Sequence, residues 1–319
     1  MKSVYLTVMI VTWAFMLILP IFGGIVDADL PVAAQPSEDS LSTKEEAQES
    51  VRVRLTESEK IITLPLEEYL FGVVAAEMPA LYEVEALKAQ TVAAYTYYLG
   101  QKAQYSDKDY DITDNFAIDQ AFITREKARE KWGDGADEYE NRIFGAVRAV
   151  SGKKVTYNGN TASTVYHAIS YGVTESAAEG WGGDYPYLVS VDSSWDKLSD
   201  KYMVETVITA EELKTALSSL AEISDISVNS IGEITRTAAG GVKTVVVAGK
   251  SLTGSQFRKA IGLRSANFEV SFSDGKYTFT TYGYGHSIGM SQYGAHYMAM
   301  QGKNFEEILL HYYSGCKIE

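Results

Sequence analysis

The sequence predicts an α+β protein: an N-terminal membrane helix, an acidic tether, then one mixed body with early helices and a mainly antiparallel sheet. Three observations predict it. Residues 4–25, VYLTVMIVTWAFMLILPIFGGI, carry no charge over a length close to the roughly 20 apolar residues that cross a bilayer as a helix. Between Leu66 and Leu99 the apolar residues recur with helical period. From residue 153 onward come short runs rich in β-branched and aromatic residues, punctuated by glycine turns.

Residues 1–26 are read as an uncleaved anchor, with Lys2 inside and the acidic remainder of the chain outside the membrane. A cleaved signal is the alternative: its apolar core is shorter and ends in a small-x-small site, for which Val26-Asp27-Ala28 and Val32-Ala33-Ala34 are the candidates. Residues 27–50 are polar, acidic and proline-containing, the composition of a solvated tether. The body is then 51–319, with a helical portion at about 60–158 and a β-rich remainder.

VRVRLTE (51–57) and IITLPL (61–66) read as two strands. Leu66, Leu70, Val73 and Glu77 then fall on one helical stripe, which Pro79 ends. A second helix spans about 84–99, with Leu87, Thr91, Tyr95 and Tyr98 on its inner side. Residues 124–133 and 138–152 supply further helix. Strands are expected in 153–159, 163–170, 186–192 and 202–209, and a helix over 209–222 opened by a Thr209 cap with Glu212 in the capping-box position. Gly240-Gly241 marks one turn, and Asp274-Gly275 sits at the centre of a strong hairpin pattern, FEVSFSDGKYTFTTYG.

The formal charge of −14 argues against nucleic-acid binding, which needs clustered Lys and Arg. The single cysteine, Cys316, excludes an internal disulfide and a cysteine-rich zinc knuckle. His167, His286, His296 and His311 lack the spacing of zinc helices. No metal and no cofactor are expected.

Three stretches carry the chemistry. In VVAAEMPA, Glu77 is a carboxylate on an apolar helix face; it either reaches solvent past Pro79 or is desolvated, which raises its pKa toward the range of a general acid. In TYGYGHSIGMSQYGAHYMAMQG (281–302), Gly285-His286-Ser287-Ile288-Gly289 matches the nucleophile elbow, but no Asp follows Ser287 and no parallel-strand framework surrounds it. The glycines there also fit a dinucleotide fingerprint poorly, with one residue too many. His286, in a glycine-bounded loop, is a functional candidate. The third stretch, 167–196, offers Ser170, Thr174, Glu175, Trp181, Tyr185 and Tyr187, a set of hydroxyls and aromatics suited to a sugar chain or, equally, to the rim of a core tryptophan. Glu175, Asp184 and Asp192 are read as solvated.

In this order, LPLEEYLFGVVAAEMP, EALKAQTVAAYTYYL, the Thr174-Glu175 and Pro186-Tyr187-Leu188 stretch, GHSIGMSQYGAHYMAMQG and ILLHYYSG resemble the stage II sporulation protein D family of peptidoglycan lytic transglycosylases, related to the amidase enhancers. The resemblance spans about 64–315. It implies Glu77 as catalytic acid and base, and a glycan cleft drawn from Tyr95, Ser170, Thr174, Glu175, Tyr187, His286, Ser291, Gln292 and Tyr293. Tyr95 stands where the family usually has an arginine, and the zinc-binding cysteine pair of some members is absent from TDNFAIDQAF. It further implies a single-pass membrane protein whose body faces the space between mother cell and forespore. There it would cut wall glycan during engulfment, beside other engulfment proteins including a cell-wall amidase. The net charge of −14 adds a modest bias toward peptide-stripped strands, since stem peptides bring further carboxylates. Two other readings stay open: a non-catalytic glycan-binding activator of an amidase, and a serine hydrolase using Ser287.

Overall fold

The computed structural model describes residues 49–218, 220 and 230–319. The expected anchor, and the tether up to residue 48, lie outside the described residues. Among those described, no helix is long and apolar enough to cross a membrane.

Helix α1 (Leu66–Glu77) begins directly after Pro65 and ends where Met78 turns extended, the conformation that a following proline imposes. The predicted one-sided stripe is wider than expected, since Tyr69 to Ala75 are all buried. Phe71 stacks on Phe144 at 4.4 Å and meets Trp132 edge-on. Helix α2 (Val84–Gln104) runs a turn beyond its predicted end because GQKAQ contains no breaker stronger than Gly100, around which there is open space. It packs against α1 and, further along the chain, against three other helices.

α3 (Arg125–Trp132) and α4 (Ala136–Ala149) follow as expected, with Thr124 capping α3. Arg125 and Arg129 converge on the buried Glu140 and lock α3 to α4. Gly72 brings the preceding segment onto α1: a Cβ there would lie 2.4 Å from both Ile123 O and a Phe122 ring carbon. Only glycine permits that approach.

The β-structure is divided into small separate sheets rather than the single late sheet expected. Ser50–Arg54 pairs antiparallel with Ile61–Pro65, and Val155–Tyr157 lies between Asn160–Thr161 and Lys317–Ile318. The expected strand at 163–170 shrinks to Tyr166–His167, paired in parallel with Met290–Ser291. The expected strand at 186–192 does not form. Its backbone is engaged locally: Val191 N donates to Thr174 Oγ1 at 2.9 Å, Thr174 N donates to Val191 O, and Ser314 N donates to Tyr187 O. A short helix, α5 (Ala177–Gly180), sits in the same region.

The later β-rich portion has its own core around Phe257, Phe268, Tyr277 and Phe279. Met203–Thr209, Lys276–Tyr282 and Phe268–Ser273 make one sheet, and Ile231–Arg236, Val242–Val247 and Lys250–Thr253 another. Asp274 (φ 51°) and Gly275 (φ 78°) are both left-handed, as a two-residue type I′ hairpin requires. α6 (Ala210–Leu217) carries the Thr209–Glu212 capping box, and α7 (Gly254–Ile261) a second one. Helices are not confined to the early half: α8 (Gln292–Met300) and α9 (Phe305–Tyr312) return to pack on α2.

Candidate active site

Glu77 is the last residue of α1 and is half-buried, so its carboxylate is reachable yet surrounded by protein. Ala121 N donates to Oε1 at 3.0 Å, an approach that the bare Gly72 makes possible. Gln292 Nε2, from the first turn of α8, donates to Oε2 at 3.2 Å and to Gln90 Oε1 at 3.4 Å. With two oxygens before it, the Gln292 amide has one favourable orientation, NH₂ inward. Burial raises the Glu77 pKa, and the donors Ala121 N and Gln292 partly offset that rise. This is a carboxyl group that holds a proton above the usual carboxylate range and is stabilised when it loses it.

Tyr166 lies within reach of the Glu77 charge: its hydroxyl donates to Gln120 Oε1 at 2.7 Å, while Gln120 Nε2 donates to Tyr69 OH at 2.6 Å. Its own pKa is raised by burial and then by the Glu77 charge. Ser291 caps α8 by accepting from Gly294 N, which fixes where Gln292 and Tyr293 begin the helix. Behind the cap lies Asp196, fully buried, whose Oδ2 accepts from Ser170 N at 2.7 Å and Ser193 Oγ at 3.2 Å. Burial raises its pKa. An aromatic ledge flanks the same end of α8, where Tyr82 stacks on His296 at 4.3 Å with Tyr293 beyond.

Of the residues singled out from sequence, Gln292 touches Glu77, and Ser291 and Tyr293 adjoin Gln292 in α8. Ser170 shares the Asp196 carboxylate with the Ser291 cap; the others lie elsewhere. Tyr95 feels Glu49 and Lys102, and Glu49 O accepts from Leu66 N at the opposite end of α1, about 16 Å of helix from Glu77. Thr174 and Tyr187 are buried and hold backbone: Thr174 at Val189 and Val191, Tyr187 OH accepting from Ser163 N. Ser170 forms a turn through Gly172 N.

Glu175, read as solvated, is 4% exposed, with Oε2 accepting from Thr237 Oγ1 at 2.6 Å. His286 packs between His167 and Trp181, and burial with the nearby Arg258 charge pushes its pKa down to about 4, so it is neutral at pH 7. Tyr166 and His167 are consecutive in one strand and face opposite ways, so His286 and Glu77 lie on opposite faces of that ladder.

Ser287 has a left-handed φ of 65° but is closed off from substrate as it stands. It is fully buried, and the described hydrogen bonds of its Oγ are to backbone: it accepts from Tyr171 N and donates to Val173 O. The neighbouring His286 uses Nδ1 to accept from Ile288 N. Among the described residues no three His, Cys, Asp or Glu side chains converge where a metal ion could sit. Gln90 and Asp196 were missed from sequence. Gln90 had the same signal as Glu77, a polar residue amid the apolar ALKAQTVAA, whereas Asp196 sits in aperiodic backbone that gives none.

A family model described as stage II sporulation protein matches residues 55–157. Stage II sporulation protein D of Bacillus amyloliquefaciens is 38% identical over 280 residues, covering 86% of this chain and 80% of that protein. Its namesake from Bacillus subtilis is 36% identical, covering 90% and 84%. The amidase enhancer of Bacillus subtilis is 29% identical, covering 78% of this chain and 40% of its own length. At 36–38% identity over at least four fifths of either partner, the chain belongs to the stage II sporulation protein D family.

Proposed function

We propose that this chain is a peptidoglycan lytic transglycosylase that cuts peptide-stripped glycan during engulfment of the forespore, with Glu77 as its sole acid and base. Residues 1–26 would anchor it, 27–50 tether it, and 51–319 form the extracytoplasmic body. The observation that supports the chemistry is the solitary, desolvated carboxylate of Glu77 with its two donors.

Hydrolytic glycosidases use paired carboxylates, one acting as acid and the other as nucleophile or base. No second carboxylate is hydrogen-bonded into the Glu77 pocket among the described residues. Glu175 is engaged by Thr237 and Ser176, and Asp196 is closed off from solvent. One carboxyl group suffices if the substrate supplies its own nucleophile. Glu77 protonates the bridging oxygen as the C1–O bond breaks. The resulting carboxylate, steadied by Ala121 N and Gln292, takes the proton of the muramic acid 6-hydroxyl as that oxygen bonds to C1. The product is a 1,6-anhydro ring and Glu77 is again protonated.

Tyr293, half-buried beside Gln292, would meet the sugar, while the buried Ser291 would act only by holding the start of α8. Wall glycan stripped of peptide and incubated with the protein should give anhydro-ended fragments by mass spectrometry, and none with Glu77→Gln. Reducing ends carrying solvent oxygen would instead indicate hydrolysis.

The amidase enhancer among the relatives favours a second reading, a glycan-binding activator of a cell-wall amidase. In that case Glu77→Gln would stimulate an amidase as well as the unsubstituted protein does.

A further inference from the structure

On the face of the Tyr166–His167 ladder away from Glu77 lies a cavity of about 340 Å³, between segment 171–181 and the start of α7. Its lining includes Tyr171, Trp181, Lys243, Arg258 and His286. Two carboxylates are also there, but both serve as clamps: Glu175 accepts from Thr237 Oγ1 and Ser176 N, and Glu179 accepts from Ala238 N at 3.0 Å. Together they fasten the 237–241 turn.

Arg258 is different. Half-buried, it donates one bond, from Nη1 to Gly285 O, and pairs with no carboxylate among the described residues. A guanidinium has five N–H donors in a planar fork. Four have no described acceptor. A desolvated cation with unused donors beside a cavity is a site for a planar oxyanion, for which the bidentate carboxylate is the best geometric match. Trp181, 46% exposed at the rim, offers an aromatic face for the carbon framework attached to it. The neutral His286 adds a polar wall without competing charge.

We propose that this cavity is a second binding site, separate from the Glu77 pocket, that takes the free carboxylate of a cell-wall fragment on Arg258 with the fragment's body against Trp181. Two wall groups share that chemistry: the lactyl carboxylate exposed on muramic acid once its peptide is removed, and the C-terminal carboxylate of a stem peptide. The choice of wall fragments rests on the function proposed above; the preference for a carboxylate rests on Arg258 alone.

The test titrates the unsubstituted protein with N-acetylmuramic acid, its lactyl amide, a wall tetrapeptide and N-acetylglucosamine, followed by tryptophan fluorescence with Trp181→Phe as the blank. At least one of the two carboxylates binds, and which one identifies the source. Converting the bound carboxylate to its amide weakens binding about ten- to a hundredfold, the range of hydrogen bonds to a charged group. Arg258→Gln produces a similar loss for the acid and little for the amide.

Equal affinity for acid and amide overturns the proposal, as does binding of neither carboxylate. Undiminished discrimination in Arg258→Gln also overturns it. The acid-amide comparison needs no variant, so a folding defect in Arg258→Gln leaves the test intact. The same titrations in Glu77→Gln separate the two claims: carboxylate binding unchanged there while turnover is lost supports both, and turnover persisting while binding stands removes only the catalytic reading.

Discussion

Replacing Glu77 with Gln removes the proton that the proposed chemistry moves, and the structure sets what else changes. An amide at position 77 can still accept from Ala121 N through its oxygen, but its NH₂ then faces the Gln292 NH₂. Rotating the Gln292 amide by half a turn resolves that clash and turns its oxygen inward. Gln90 follows: its Nε2, which has no hydrogen-bond partner among the described residues, swings round to donate to Gln292. Two amide rotations re-satisfy the chain, so the net hydrogen-bond cost is about 1 kcal/mol or less.

Against that stands a gain. The Glu77 pKa is raised in the folded state, so the stability it contributes is fully present below the ordinary value of 4.5 and is lost as pH rises through the raised value. Gln suffers no such loss. The variant should therefore match the parent below pH 4.5 and equal or exceed it at pH 7, by about 2 °C in Tm for each kcal/mol in a domain of this size. Turnover should fall by at least about 10²–10⁴-fold, the usual contribution of a positioned acid or base. Thermal melts at pH 4 and pH 7, with anhydro-product assays on the same preparations, make the measurement. A variant that melts well below the parent at pH 7 would show that Glu77 is there for the fold, and one that retains turnover would remove it from the chemistry.

Gln292→Leu deletes one donor to the ionised carboxylate, so the alkaline limb of the pH-rate profile should move to higher pH with turnover down about tenfold to a hundredfold; an unmoved limb contradicts the assignment. Ser287→Ala loses only bonds to backbone and should cost about 1 kcal/mol with turnover near normal, and a fluorophosphonate that labels Ser287 would reverse this view. Gly72→Ala drives a methyl into Ile123 O and Phe122, lifting Ala121 N off Glu77; destabilisation of about 1–3 kcal/mol with reduced turnover is expected, and a silent variant would show that the contact is not needed.

The helix bearing Glu77 and the hairpin at Asp274-Gly275 were legible because each is written in local terms, a period ended by proline and a turn that needs left-handed residues. The partners of Glu77 were less so. Ala121 N reaches it across 44 residues through a glycine whose missing side chain looks, in sequence, like any helical glycine. The segment 186–192 has the composition of a strand, yet Thr174 takes its hydrogen bonds, a competition visible only once the two are side by side. Glu175 has polar and glycine neighbours in sequence, but its burial comes from the 237–241 turn, more than 60 residues on. Tyr95 occupies the right slot in its motif and the wrong end of α1 for contact with Glu77.

Glu77 also ends the helix whose aligned peptide dipoles leave partial negative charge at that terminus, where an anion is disfavoured by about 0.3–1 kcal/mol. A cation there would be stabilising, yet none stands in the last turn of α1. The backbone thus adds a standing field to the effect of burial, and both favour the same protonation state. Both raise the pH up to which Glu77 keeps its proton. In the proposed cycle the proton returned to Glu77 restores the form that this field favours, so successive cuts along a strand would need no proton from solvent.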